Sequence, residues 1–176
     1  MTRDPLSLDF DRLDVGAAFV SRARTITEAD LVSFSALTGD WHPQHADAEW
    51  AAESPFGERI AHGMLVLSYS VGVLPIDPDR VVALRGLRNV VFKRPVPIGT
   101  TISVEVEVAA LRPLDSGHGL VELGLRVRDG EGKLLARAVL EALWRREPAT
   151  AERASGNGSA PAEAELSPCD EGRVLL

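Results

Sequence analysis

The 176-residue sequence holds one cysteine, Cys169. A disulfide within the chain is therefore excluded, and no oxidising compartment is required. A basic excess is also missing. Nineteen Lys and Arg stand against 26 Asp and Glu, a formal net charge of -7, which argues against a nucleic-acid-binding face. No apolar signal core follows the opening Met1-Thr2-Arg3-Asp4-Pro5. The longest apolar run, around Met64 to Leu74, is interrupted by Ser68, Ser70 and Gly72 and stops at Pro75; it is too short to span a bilayer. These absences lead to the expectation of a cytoplasmic protein with no membrane and no nucleic-acid partner. Residues 147–176 contain no aromatic side chain, carry six acidic against two basic groups, and are rich in Ala, Glu, Pro, Gly and Ser. They read as a disordered tail. Residues 1–146 are long enough for a single domain with a real core.

Hydrophobic patterning describes that domain. Phe19 to Ile26 alternates loosely as a first strand. Thr27-Glu28-Ala29-Asp30 opens a helix with a hydroxyl cap and an acid three places on. Leu31, Phe34 and Leu37 are expected to face the core, and Gly39 ends the helix. A short helix fits Ala46 to Ala52, and Gly57 is a turning point in the loop after it. His62 to Leu74 is apolar nearly all round and requires a wrapper. Val81 to Phe92 is a strand with a bulge at Gly86. Ile102, Val104, Val106 and Val108 alternate with Ser103, Glu105 and Glu107. The period of two recurs from Val121 to Val127 and from Leu134 to Trp144, joined by the turn Asp129-Gly130-Glu131-Gly132. One long apolar helix against antiparallel strands is an α+β layer architecture.

The chemistry concentrates in two places. Gly39-Asp40-Trp41-His42-Pro43-Gln44-His45 brings a carboxylate and two imidazoles into one loop. Asp40 and His45 at this spacing can converge on a single water and direct it at an electron-poor carbon. Ordinary turn chemistry accounts for the spacing about equally well, until the second place is added. Ala61-His62-Gly63-Met64 opens the apolar helix, whose first amides are unpaired and carry partial positive charge. A glycine there lets a carbonyl oxygen approach the backbone closely.

These two segments, with Pro55-Phe56-Gly57-Glu58-Arg59-Ile60 before the second and Val91-Phe92-Lys93-Arg94-Pro95-Val96-Pro97-Ile98-Gly99-Thr100 after it, resemble the MaoC-like dehydratases, the (R)-specific enoyl-CoA hydratases. The resemblance covers roughly residues 15–146. It implies a hot-dog fold, an antiparallel sheet wrapped around one long helix, usually paired as a homodimer. It further implies reversible hydration of a trans-2-enoyl thioester, on coenzyme A or an acyl carrier protein, to the (R)-3-hydroxyacyl thioester. Carried over by residue, Asp40 and His45 match the acid/base pair, and the amide of Gly63 matches the donor to the thioester oxygen. His42 and His62 are further substrate-side candidates, and Val71, with Tyr69, a candidate for the acyl pocket. Neither metal nor redox cofactor is implied. One departure stands out: the family pattern carries asparagine where this chain has His42. An imidazole is larger and titrates near neutrality, which bears on water placement, pH dependence and substrate.

Competing readings remain at this level. A hot-dog thioesterase aims its water at the thioester carbonyl, and a hydratase-like scaffold subunit performs no chemistry. His42, His45, Asp40 and Asp47 form a conceivable metal cluster, but the carboxylates have a simpler explanation. Ser68 and Ser70 read as packing residues, and His118 as a solvated loop histidine. Arg85, Arg88, Lys93 and Arg94 suit either a phosphate or a solvated face.

Overall fold

A computed structural model describes residues 5–146; the expected tail, 147–176, lies outside them. Six strands form one antiparallel sheet: β1 (Ala18–Val20), β2 (Arg24–Thr25), β3 (Val81–Phe92), β4 (Thr101–Pro113), β5 (His118–Asp129) and β6 (Leu134–Arg145). Their order is β1-β4-β5-β6-β3, with β2 also on β4. Among the described residues, four α-helices lie in the first half of the chain: α1 (Glu28–Thr38), α2 (Pro43–Ala46), α3 (Ala48–Glu53) and α4 (Gly63–Gly72). Period-two alternation places Ile102, Val104, Val106 and Val108 on the inner face, with Leu123, Leu125 and Val127 beside them. Leu65, Val66, Val73 and Leu74 from α4 and its exit belong to the same core cluster. This is the hot-dog arrangement.

Where the structure departs from the pattern, the reasons are local. The expected first strand is two short ones. Val20 pairs with Glu105 and Arg24 with Ile102, so the stretch from Val20 to Arg24 has one residue more than the β4 segment it faces. Ser21 bridges the gap by accepting the Val104 amide on Oγ at 3.0 Å. Leu37 is not in the core but 83% exposed, and Ser35 is buried instead. At 3.6 residues per turn Ser35 lies about 40° from Leu31 around the helix, and Leu37 about 120°. The helix over Ala46 to Ala52 is divided at Asp47, whose Oδ1 accepts from the amides of Glu49 and Trp50 and caps α3. Nor is α4 wrapped all round. Met64 is 55% exposed, and Ser68 and Gly72, one and two turns on, continue the bare stripe. The bulge expected at Gly86 is there, as a register shift between Leu84 and Gly86 against β6.

Two polar clusters fix α1 and the chain entry. Thr27 and Asp30 form a reciprocal capping box at the start of α1. Asp30 also accepts from Arg24 at 2.9 Å and from the Tyr69 hydroxyl of α4. Burial alone raises the Asp30 carboxyl; these hydrogen bonds from Tyr69, Thr27 and Arg24 outweigh it and bring the value to about 2. The segment before β1 closes one end of the roll. Phe10 is buried where a side chain on Gly119 would overlap its ring. The Trp144 indole donates to the Leu8 carbonyl at 2.9 Å. Asp9, buried, pairs with Arg80.

Removing the Phe10 ring leaves a cavity that backbone glycine at position 119 cannot fill. Phe10→Ala is therefore expected to cost about 3 kcal/mol or more, read as a lower urea midpoint at an unchanged slope. A loss below about 1 kcal/mol would show that the entry segment is not part of the core.

Candidate active site

The loop leaving α1 turns at Gly39, which adopts the left-handed conformation (φ 79°) that a helix exit favours. Asp40 follows, exposed, and its Oδ1 accepts the His42 amide at 3.3 Å. His42 then caps α2: its Nδ1 accepts the Gln44 amide at 3.2 Å. Its ring stands edge-on to Trp50 at 5.4 Å. In this chain the imidazole at position 42 therefore orders the loop by the hydrogen bond that a short polar capping side chain makes.

His45 is buried in α2 and is held at both nitrogens. Nδ1 lies 2.6 Å from the Ile60 carbonyl. A carbonyl only accepts, so Nδ1 carries the proton of the neutral ring and Nε2 presents a lone pair. The Gln44 side-chain amide sits 2.9 Å from that Nε2, marking where a water or substrate proton is received. Burial pushes the His45 pKa below the usual imidazole value, and the neighbouring His62 and His42 act in the same direction. The Ile60 hydrogen bond and the Asp40 charge oppose the shift without cancelling it. The result is a base that is deprotonated at neutral pH and ready to accept.

The carboxylate of Asp40 and one ring nitrogen each of His45 and His62 all lie within 4.8 Å of one another. This triad differs from the metal cluster conceivable from the sequence, because His42 and Asp47 are spent as helix caps. Two of its imidazole nitrogens already donate to carbonyls, His45 to Ile60 and His62 to Asp40 at 3.0 Å. The carboxylate and the His45 Nε2 lone pair, which takes a hydrogen bond from the Gln44 amide, suit proton transfer.

Beside this group is a cleft of about 340 Å³ lined by Gln44, His45 and Gly63 together with Phe92, Lys93 and Arg94. Gly63 opens α4, so its amide has no partner within the helix. A Cβ at this position would lie 2.8 Å from the Phe92 ring. Glycine is thus what lets the aromatic wall close over a bare amide. Asp40, His42 and His62 do not line the cleft, but each neighbours His45. Val71 lies about 12 Å further along α4, packed against the core and away from the cleft lining. Tyr69 faces α1 through its bond to Asp30. The hydroxyls of Ser68 and Ser70 are spent on the carbonyls of Met64 and Val66, each one turn back. His118 is not in the loop but is the half-buried first residue of β5, paired with the exposed Asp115 of the turn before it. Arg88 bridges Glu122 and Glu141 on the outer face of the sheet.

Several contributors escaped the sequence reading. Ile60 acts through a carbonyl, which any residue supplies. Gln44 stood in the motif without a role, and Phe92 and Ser35 gave only an apolar and a helical signal.

The chain matches the family model described as MaoC like domain over residues 14–128. Protein MaoC of Klebsiella aerogenes is 39% identical over 103 residues, 58% of this chain and 31% of that protein, so the match spans about a third of that relative's length. The (R)-specific enoyl-CoA hydratase of Rhodospirillum rubrum is 35% identical over 114 residues, 64% of this chain and 78% of its own. Among solved structures, the R-hydratase PhaJ1 of Pseudomonas aeruginosa superposes with a TM-score of 0.65 at 30% identity, covering 93% of this chain and 96% of that one.

The depressed His45 pKa has a thermodynamic signature. Below the ordinary value of 6.5 the unfolded chain binds this proton more readily than the folded one, so stability rises with pH across that window. Wild type is expected to lose stability relative to His45→Gln as the pH falls from about 7 to about 5, measured by urea unfolding. Parallel curves for the two proteins would show that His45 is not desolvated.

Proposed function

The chain belongs to the MaoC-like domain family, and on that basis we propose that it is a hydro-lyase. It hydrates a trans-2-enoyl thioester, on coenzyme A or an acyl carrier protein, reversibly to the (R)-3-hydroxyacyl thioester. The observation that carries the reading is the His45 ring, whose Nδ1 is committed to Ile60 at 2.6 Å while its Nε2 and the Asp40 carboxylate remain as neighbouring acceptors next to the Gly63 amide. A thioester oxygen on that amide puts the conjugated carbons in the Phe92-walled cleft. Water bound between Asp40 and His45 gives a proton to Asp40 as its oxygen bonds to C3. The electron pair of the double bond moves to the thioester oxygen, which Gly63 stabilises. The proton passes to His45 Nε2, C2 collects it as the enolate collapses, and both groups return to their starting states. Lys93 and Arg94 at the cleft supply cations for the phosphates or acidic carrier that bears the acyl group.

The same reading makes the working unit a homodimer. β3 ends the sheet with an unpaired edge on which Val82, Leu84 and Phe92 are exposed, and the bare stripe of α4 includes Met64. Such an edge is covered in stable proteins, and a second copy pairing β3 with β3 covers it. In sedimentation velocity the full chain is expected at twice its monomer mass, and Leu84→Arg at the monomer mass. A monomeric wild type would remove the dimer from the account.

With a short trans-2-enoyl-CoA, the conjugated-thioester absorbance is expected to fall without release of thiol. Asp40→Asn should lower that rate at least about 100-fold with an unchanged melting temperature. Thiol release would reassign the site to a thioesterase. Near-normal turnover by the variant would remove Asp40 from the chemistry.

A further inference from the structure

His62 is 2% exposed and does not line the cleft, yet it touches both Asp40 and His45. Its Nε2 lies 3.0 Å from the Asp40 carbonyl and 3.1 Å from the Ser35 hydroxyl. Its ring stacks on that of His45 with centroids 3.7 Å apart and planes 26° from parallel. The Phe34 ring also lies against the His62 ring, with centroids 5.0 Å apart and planes tilted by 53°. Because the Asp40 carbonyl can only accept, Nε2 carries the proton and Nδ1 keeps a lone pair. That Nδ1 is buried with no hydrogen-bond partner.

A buried polar nitrogen without a partner costs stability, and an apolar residue beside an apolar partner would avoid the cost. Core packing alone therefore does not account for an imidazole here. What an imidazole provides is two grips in one side chain, a donor for the main chain of Asp40 and a flat face for His45. We propose that His62 is a positioning residue: through it, Ser35 and Phe34 of α1 hold the Asp40 loop and the His45 ring at their working separation. The inference rests on the reading of Asp40 and His45 as the acid/base pair. It assigns His62 to neither the substrate nor the oxyanion.

The charged and titratable groups facing His45 are Asp40 and His42 from the loop, His62 from the start of α4, and Lys93 and Arg94 from the cleft. Of these, His62 stacks on the ring at 3.7 Å, while His42 stands edge-on to it at 6.3 Å. Removing His62 takes away a competing imidazole, so the His45 midpoint moves up and the acid limb of kcat/KM moves to higher pH.

Three variants of the full chain separate the two grips. Ser35→Ala/His62→Phe keeps the ring face, loses the donor, and leaves no hydroxyl unpaired, which protects the fold. His62→Phe alone shows the cost of stranding Ser35. His62→Gln keeps a donor and loses the stack. Steady-state hydration of a short enoyl-CoA is measured beside a nitrogen NMR titration of the His45 ring. The double variant is expected to lose about 10- to 100-fold in kcat with little change in KM, and to show a raised His45 midpoint. His62→Gln is expected to recover part of kcat. Wild-type kcat together with an unmoved His45 midpoint in the double variant would overturn the proposal. If the wild type hydrates no enoyl thioester, the functional reading fails, and the NMR arm still decides positioning. There, an unchanged midpoint and an unchanged Nδ1–H form of His45 overturn it.

Discussion

The packing of α4 against the inner face of the sheet decides where the groups of the candidate site sit. Leu65 and Val66 anchor the first turn of the helix among the inward residues of β4, β5 and β6. That anchoring fixes the position of the Gly63 amide, and the oxyanion donor of the proposed reaction works only where it is already in place. The sheet has a second effect on the same turn. Phe92, the last residue of β3, lies so close to Gly63 that no side chain fits between them. Helix, glycine and aromatic wall are thus one packing solution.

The Asp40–His45 loop is attached to the same frame through Ile60 and His62. Ile60 pairs as an isolated bridge with Pro97, and its carbonyl accepts the hydrogen bond from His45 Nδ1–H. His62, one residue before α4, takes the Asp40 carbonyl. His45 is therefore held by the Ile60 carbonyl and the Asp40 loop by the His62 side chain, both in the segment just before the Gly63 amide. Burial gives His45 its low affinity for a proton, and Asp40, at the surface of the group, stays open to water. The division suits a reaction in which one proton leaves water and returns to carbon.

Much of this was legible in the sequence. Period-two alternation marked the long strands β4, β5 and β6, and the apolar run marked α4, because each repeats one physical requirement over many residues. The adjacency of Asp40 to His45 and of His62 to Gly63 was legible for the same reason: the residues are neighbours in the chain. The rest depended on distance. Nothing local tells that the Leu37 face of α1 looks outward, or that one extra residue between Val20 and Arg24 divides a strand. Phe10 against Gly119 joins positions more than a hundred residues apart. The roles of Ile60 and of the Asp40 carbonyl are carried by backbone atoms, which have no signature in a sequence. His42 shows the converse. Its departure from the family's asparagine was plain at once, but that it caps α2 through Nδ1 needed the coordinates of Gln44.

The central claim is that this site delivers the oxygen of water to C3 and leaves the thioester whole. Turnover of a short trans-2-enoyl-CoA in ¹⁸O-water, read by mass spectrometry of the product, tests it most directly. The account predicts one heavy oxygen in the C3 hydroxyl of an intact 3-hydroxyacyl thioester. Heavy oxygen in a free carboxylate, with the thiol released, would contradict it.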